Sequence, residues 1–308
     1  MLLKRNKLIF TDSIKKNNIK FNYIDVGARG DISSPWKELE KDTLIVGFEP
    51  DIIEAKRLNN IFKSRKYYGI ALWSKKTNRK VYINEWKSTS SMYVANKNKI
   101  SCFASKHWTG RKEKLIVDVD CDTLDEVLKK DKIIPDFIKI DTQGAELEIL
   151  KGAEDLLKEY SPIVTCETWC YEVYKDAPMM HEVIAYMDSL GYQVFDMELA
   201  AAWRHTDNMK SGKQKTIGYE ILFVKKYENI NMAHEQQLIK LALLLELYGY
   251  RDYAYFLLKD MRSLVIQEIK NSLLVNDKKE SKFLIKVIFK IIQRCFGFWY
   301  KIYPNIRY

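Results

Sequence analysis

The segment FIKIDTQGAELEILKGA, residues 137–153, decides how this 308-residue chain folds. An apolar run over 137–140 stops at Asp141 and passes through Thr142, Gln143 and Gly144. It gives way to Glu146, Leu147, Ile149 and Leu150 at helical spacing. A short continuous apolar run suits a strand buried on both faces, and apolar residues three and four apart suit the inner face of a helix. The segment therefore reads as strand then helix, with polar groups at the strand's C-terminal end. Open α/β sheets bind their ligands at that edge. Upstream, NYIDVGARG (22–30) is another strand that ends in a glycine turn, and GFEPD (47–51) ends a third with an acidic residue. Three strand ends with chemistry at their tips imply a nucleotide-type cofactor site.

Working outward, strands are expected at 22–26, 44–49, 67–72, 137–141, 162–167, 192–197 and 219–225. Helices are expected at 35–40, 51–62, 123–130, 145–159 and 178–189. Pro178 opens the last of these and Gly191 follows it, as start and stop signals should. Between 79 and 120 the pattern turns β-rich on either side of the polar stretch 88–99, which suits an inserted hairpin on the sheet's edge. A polar loop is expected over 204–218. After 230 the chain becomes helical, with amphipathic runs at 234–248 and 251–274 broken at Gly249, read as an αα-hairpin. The expected domains are 1–230 and a helical extension, 231–308.

Length permits a full core and no internal repeat is visible. The N-terminus, MLLKRNKLIF, lacks the apolar stretch of a signal peptide. Five scattered cysteines, an odd count, favour a reducing, cytoplasmic compartment. Cys166 and Cys170 form a C-x3-C with only His181 nearby, too few ligands for zinc, so no metal is expected.

The net charge of +10 is uneven. Residues 278–308 carry eight cations against one acid, a net +7. Lys282, Lys286, Lys290 and Arg294 recur every fourth residue and form one stripe over 278–303, while Ile, Phe, Val, Trp and Tyr fill the other faces. Four charges in the middle of a transmembrane span would be costly. A helix lying in an anionic membrane interface, on the inner face of the cell membrane, keeps the stripe wet. The alternative is docking on the chain's own hairpin or in a homodimer. No nucleic-acid-reading module accompanies the charge.

Two cofactors compete for the strand-end site, a dinucleotide and S-adenosylmethionine (AdoMet). The turn Gly27-Ala28-Arg29-Gly30 lacks the third glycine of G-x-G-x-x-G. Asp25, two residues before it, is awkward for a pyrophosphate but suits a ligand with an ammonium and a sulfonium. Glu49, 22 residues after Gly27, stands where a carboxylate accepts bonds from ribose hydroxyls. This chemistry favours AdoMet, with Asp25 as a mere cap as the structural alternative.

The order IDVGARG, GFEPD, GIALW, STSSM, VDVDCDTLDEVL, PDFIKIDTQGAELEILKGA, IVTCET and GYQVFDMEL, covering about 20–226, resembles the FkbM family of AdoMet-dependent methyltransferases. The most particular segment is K-I-D-x-x-G-x-E-x-x-x-L-x-G, Lys139 to Gly152. The resemblance implies a class I methyltransferase fold: an α/β, Rossmann-like sheet of seven strands with the last antiparallel and helices on both faces. To this the chain adds its C-terminal all-α extension. The resemblance also implies O-methylation of a hydroxyl, on a glycan sugar or a secondary metabolite. By the match Asp25, Gly27, Ala28, Arg29 and Gly30 hold the methionine part and Glu49 the ribose. Pro50, Asp51 and Ala71 lie beside the adenine, and Ser90 and Ser91 near the cofactor. Asp141 faces the reacting centre, with Gln143 and Glu146 following. Relatives often carry Glu in place of Gln143 and Gly in place of Arg29.

Methyl transfer is an in-line displacement on an activated carbon, so alignment dominates and a base assists a poor hydroxyl nucleophile. Asp141 is the first candidate base, Glu167 the second and His205 a weaker third. Asp141 could instead bind the AdoMet ammonium. Trp169, Tyr171, Tyr174 and Trp203 crowd the same edge, where they either stack on a sugar or fill a core. The expected acceptor is a sugar hydroxyl of a surface glycan or its lipid-linked precursor. The alternatives are a soluble small molecule or peptide, or a non-catalytic scaffold that keeps the fold.

Overall fold

The structure, a computed structural model, describes residues 10–232, 234–275 and 277–278. The strands are β1 Phe21–Val26, β2 Thr43–Phe48, β3 Lys66–Tyr68, β4 Ala71–Leu72, β5 Thr77–Asn84, β6 Glu113–Asp122, β7 Phe137–Ile140, β8 Ile163–Trp169, β9 Tyr192–Trp203 and β10 Lys215–Lys225. The helices are α1 Phe10–Lys16, α2 Ile52–Ile61, α3 Lys97–Ile100, α4 Ser105–Thr109, α5 Leu124–Asp131, α6 Glu146–Lys151, α7 Glu154–Glu159, α8 Met180–Ser189, α9 Glu235–Leu247, α10 Arg251–Leu258 and α11 264–275. The chain divides into two compact units. One runs from 20 to 232; the other, among the described residues, joins 10–19 to 234–278.

Seven strands of the larger unit make one sheet in the order β3-β2-β1-β7-β8-β10-β9. β10 is antiparallel to both neighbours, and the other pairings are parallel. This is the seven-stranded, last-strand-antiparallel sheet that the resemblance implies. Alternation along the central strands sorts their side chains between two faces. Ile24, Val26, Ile138, Ile140, Val164 and Cys166 share one face and pack with Leu128, Leu147, Leu150, Leu157, Val183 and Met187 from α5, α6, α7 and α8. The opposite face carries Tyr23 and Phe137, on which the indole of Trp36 sits at 4.5 and 5.1 Å between ring centroids. Further along that face, toward the strand ends, come Asp25, Lys139 and Glu167. One side of the sheet is thus all core, and the other turns polar where the site lies.

Several elements differ from the sequence reading. The expected strand 67–72 is two: β3 stays in the main sheet, while β4 pairs with β6 at Ala71↔Cys121 in a separate sheet, β4-β6-β5. The expected helix 145–159 breaks at Gly152, where an added Cβ would lie 2.1 Å from the Trp73 carbonyl oxygen. Asp125 restarts the helix by accepting the Asp155 and Leu156 amides at 3.1 and 3.0 Å. The turn at 36–42 is a 3-10 helix. β10 begins at Lys215 rather than 219 because Ile217 is buried among aromatic side chains, shortening the loop to 204–214. The inserted hairpin is present as β5 and β6, which pair antiparallel.

The helical unit also departs from a simple hairpin. A third helix, α11, follows α10, and the Ser263 hydroxyl accepts the Ile266 amide at 3.3 Å as its cap. α1 groups with these helices and not with the sheet domain. Its Lys16 pairs with Glu268 of α11 at 2.7 Å. Across the Gly249 turn, Arg251 grips the buried Glu246 at 2.9–3.1 Å. No helix among the described residues is long and apolar enough to cross a membrane. Of the basic tail, 279–308 lies outside the described residues.

Candidate active site

The parallel register sets Asp25 beside Lys139, and Val26 beside Ile140, so the glycine turn after β1 meets the loop after β7. Gly27 has φ +87°, and a Cβ there would sit 2.1 Å from the Asp141 carbonyl oxygen. Only glycine permits this approach. The Gly27 and Ala28 amides both point at the Phe48 carbonyl, 3.0 Å away, tying the turn to the end of β2. Gly30, also at positive φ, has nothing within 4 Å of where its Cβ would be, so the turn opens onto free space.

Lys139 occupies the centre of this edge. Its ammonium lies 3.5 Å from Asp25 Oδ1 and 3.7 Å from Asp141 Oδ2. Burial alone would lower its pKa, but Asp25 and Asp141 outweigh that and raise it. Burial pushes the Asp25 carboxyl upward, against the pull of Lys139. Glu49 is buried at the end of β2, which raises its carboxyl too, and its Oε1 accepts the Asp51 amide at 2.9 Å. Arg29 reaches over the same edge, 3.9 Å from Glu49 and 3.7 Å from Asp51. Asp51 caps α2, accepting the Ile53 and Glu54 amides at 3.1 and 3.2 Å.

The signature loop 141–146 is held from inside. Glu146 is buried, and its Oε1 accepts the Thr142 amide at 2.9 Å, the Thr142 hydroxyl at 3.1 Å and the Gly144 amide at 3.0 Å. Burial raises its pKa to about 7. Glu146 is an anchor for the turn. Gln143, at φ +60°, projects its amide between two carboxylates: Nε2 donates to Asp141 Oδ1 at 3.2 Å and to Glu167 Oε2 at 2.5 Å. The Tyr174 hydroxyl lies 3.0 Å from the other end of that amide. Burial, and then the neighbouring Asp141 carboxylate, push Glu167 up to about 9. Ser91 donates to the Gln143 carbonyl at 2.7 Å, and the Ser90 hydroxyl accepts the Asn84 amide at 3.1 Å.

Asp25, the 27–30 turn, Glu49, Pro50, Asp51, Asp141, Gln143 and Glu167 therefore gather at one sheet edge, with Ser91 behind the loop. Ala71 is buried in the second sheet. His205 stands apart from the carboxylates: its Nδ1 is 3.0 Å from the Cys102 carbonyl oxygen and its ring stacks on Phe103. Trp169, Tyr174 and Trp203 are buried in a cluster with Ile100, Phe103 and Ile217, so they fill a core that caps the edge. Tyr171 packs on it half-exposed. Sequence reasoning gave no role to Lys139, although its i, i+2 spacing to Asp141 put both on one strand face. Arg111, which joins the aromatic cluster from the 85–112 segment, left no periodic signal at all.

Among the described residues no group of three His, Cys, Asp or Glu could hold a metal ion. A recess of about 710 Å³ lies where the chain leads into β7 and β8, lined by Leu128, Ile133, Leu156 and Tyr160 among others. That is the opposite edge of the sheet, away from the carboxylates.

No curated protein matches the chain. Among solved structures it is similar to the methyltransferase FkbM from Methylobacillus flagellatus KT, with 17% identity and a TM-score of 0.37 over 68% of this chain. The match spans 47% of that protein, so this chain covers just under half of it. It is also similar to a TehB-like SAM-dependent methyltransferase from Corynebacterium glutamicum (10% identity, TM-score 0.33, 71% of this chain and 88% of the other). A third likeness is to the magnesium protoporphyrin IX methyltransferase of Synechocystis PCC 6803, solved with bound SAM (7% identity, TM-score 0.36, 73% and 79%). The profile of the methyltransferase FkbM domain matches residues 25–194, from Asp25 through every strand end that carries the site. That span exceeds half of the sequence, and the chain belongs to the FkbM methyltransferase family.

Proposed function

We propose that this protein is an AdoMet-dependent O-methyltransferase acting on a sugar hydroxyl of a surface glycan or its lipid-linked precursor. The cofactor is AdoMet. The observation that carries the reading is the single edge on which Asp25, Glu49 and Asp141 meet around a turn that only glycine can make. Carboxylates with open space above the turn fit a ligand that bears an ammonium and a sulfonium and lacks phosphate. In this reading Asp25 and the 27–30 turn hold the methionine part. Glu49 takes the ribose, and Pro50 and Asp51 border the adenine, while Ala71, buried in the second sheet, is given no contact with it. Ser90 and Ser91 support the loop from behind. When bound, AdoMet supplies an activated methyl group.

The chain's own residues align the acceptor and manage its proton. Glu167 keeps its proton at neutral pH, which leaves Asp141 as the base for the attacking hydroxyl. Gln143 fixes both carboxyls through one amide, and Glu146 fixes Gln143 through the loop backbone. Glu167 is then a proton-sharing neighbour that positions Asp141. His205, fastened on the cap, is not given a proton-transfer role.

The deciding experiment is isothermal titration of the full chain with AdoMet and, separately, with NAD. Heat with AdoMet alone, weakened about tenfold or more in Glu49→Ala by the loss of a hydrogen bond to a charged group, is expected. Absence of AdoMet heat in a folded sample overturns the reading and favours a scaffold. Residues 278–308 would bring the enzyme to anionic membrane. Equal sedimentation of the full chain and a 1–277 truncation with anionic liposomes would exclude that part.

A further inference from the structure

Arg111 places its guanidinium inside the aromatic cap. It makes no ion pair among the described residues. Its Nη1 donates to the His107 carbonyl at 2.9 Å, and its Cζ lies 4.7 Å from the Trp203 ring centroid and 5.9 Å from those of Trp169 and Tyr174. Its Nε is buried with no partner. Two neighbours share that condition: Trp169 Nε1, on a side chain almost wholly buried, and His107 Nε2, on a ring stacked 4.7 Å from Trp203. Buried polar groups in folded chains are nearly always paired, and leaving one unpaired is costly. The Arg111 and Trp169 N–H groups can only donate, so two unpaired donors in one aromatic cluster point to a ligand that brings oxygen acceptors. Glu167 forms no ion pair with the guanidinium: Arg111 pulls its carboxyl down, but burial and the Asp141 carboxylate outweigh that and raise it.

We propose that Arg111 and the Trp169 indole N–H bind an oxyanion of the methyl acceptor, a carboxylate or a phosphate monoester carried by the sugar that is methylated. This rests on the methyltransferase reading and names its substrate class. A guanidinium matches either oxyanion through paired N–H donors. The aromatic faces around it suit the apolar faces of a sugar ring. Tyr174 links the two ends: it lies against Arg111 on one side and meets the Gln143 amide, 3.0 Å away, on the other. An oxyanion at Arg111 would therefore present its sugar to the Asp141–Glu167 pair. A neutral acceptor would leave the guanidinium uncompensated.

The test uses the full chain saturated with S-adenosylhomocysteine and three probes: D-glucuronate, D-glucose 6-phosphate and D-glucose. Binding is followed by titration calorimetry and by tryptophan emission, since Trp169 and Trp203 flank the guanidinium. At least one anionic sugar should bind tenfold or more tightly than glucose and shift the emission. Which one does so identifies the oxyanion. Arg111→Gln should erase the preference, and Arg111→Lys, a point charge without the fork, should restore part of it. No difference between the anionic sugars and glucose in the wild-type protein overturns the proposal, whether or not the variants fold. A preference that survives in a folded Arg111→Gln protein overturns it as well. Failure of S-adenosylhomocysteine to bind is seen before any sugar is added and counts against the methyltransferase reading instead.

Discussion

The strand-end cradle and the aromatic cap meet at the same edge but are built on opposite plans. In the cradle nearly every charge has a backbone or side-chain partner: Asp51 caps a helix, Glu146 collects three donors, and Lys139 lies between Asp25 and Asp141. The cap is assembled from side chains contributed by 85–112, β8 and the segment after it, β9 and β10, and it leaves three nitrogens unpaired. A ligand whose chemistry is fixed can be met by prepaired groups. A ligand that differs from one relative to the next is better met by donors that only the ligand completes. Under the proposed function the contrast would separate a cofactor half from an acceptor half.

The largest expected effect breaks the contrast at its junction. Asp141→Asn should lower kcat about a hundredfold to ten-thousandfold, the usual worth of a general base, with AdoMet affinity nearly unchanged. A loss of AdoMet affinity with kcat retained would make Asp141 a cofactor ligand. Next, Trp203→Ala should cost about 3–5 kcal/mol of stability by emptying the cap, measured by chemical denaturation. AdoMet affinity of the folded protein should stay within about twofold, because the cap serves the acceptor in the proposed function; a large loss would show that cap and cradle are coupled through Tyr174 and Gln143. Gly27→Ala should destabilise by about 1–3 kcal/mol, as overpacking does, and weaken AdoMet, because its Cβ would collide with the Asp141 carbonyl.

The smallest effect sharpens the comparison through pH. Glu146 and Glu167 both hold their protons to higher pH in the folded chain, about 7 and about 9 against an ordinary 4.5. The stability they contribute is therefore complete below about 4.5 and is lost as pH rises through those values. Thermal melts between pH 5 and 9 should fall with pH. Glu167→Gln should flatten the upper part of that slope, and an unchanged slope would remove Glu167 from the argument.

The parallel strands were legible because their runs are short and mostly apolar, and β1, β2 and β7 lie within a residue of where the sequence puts them. The carboxylates at their tips were legible for the same reason, since a strand end fixes where the next residue stands. What escaped the sequence depends on contacts between distant segments. Gly152 looks like an ordinary helix residue until Trp73, far upstream, presses on it. The split between β3 and β4 follows from the pairing of Ala71 with Cys121, which no local pattern announces. α1 groups with helices more than two hundred residues away. Arg111 sits in a segment without periodicity, and only the folded cap shows what surrounds it. Gln143 stands where relatives often carry Glu, and its amide is what joins Asp141 to Glu167.

The pairing of Asp25 with Lys139 has a kinetic consequence. These residues are 114 apart in the chain, and the cradle does not exist until that span has been closed. β9 and β10, by contrast, are joined by the single loop 204–214 and can pair early. Contacts of long sequence separation carry the entropy of loop closure before they return any energy, and they are the slow ones to form. The cofactor cradle is thus among the last parts of the sheet to assemble, and AdoMet in a refolding mixture should act on the finished sheet, slowing its unfolding and leaving the early steps of its folding alone.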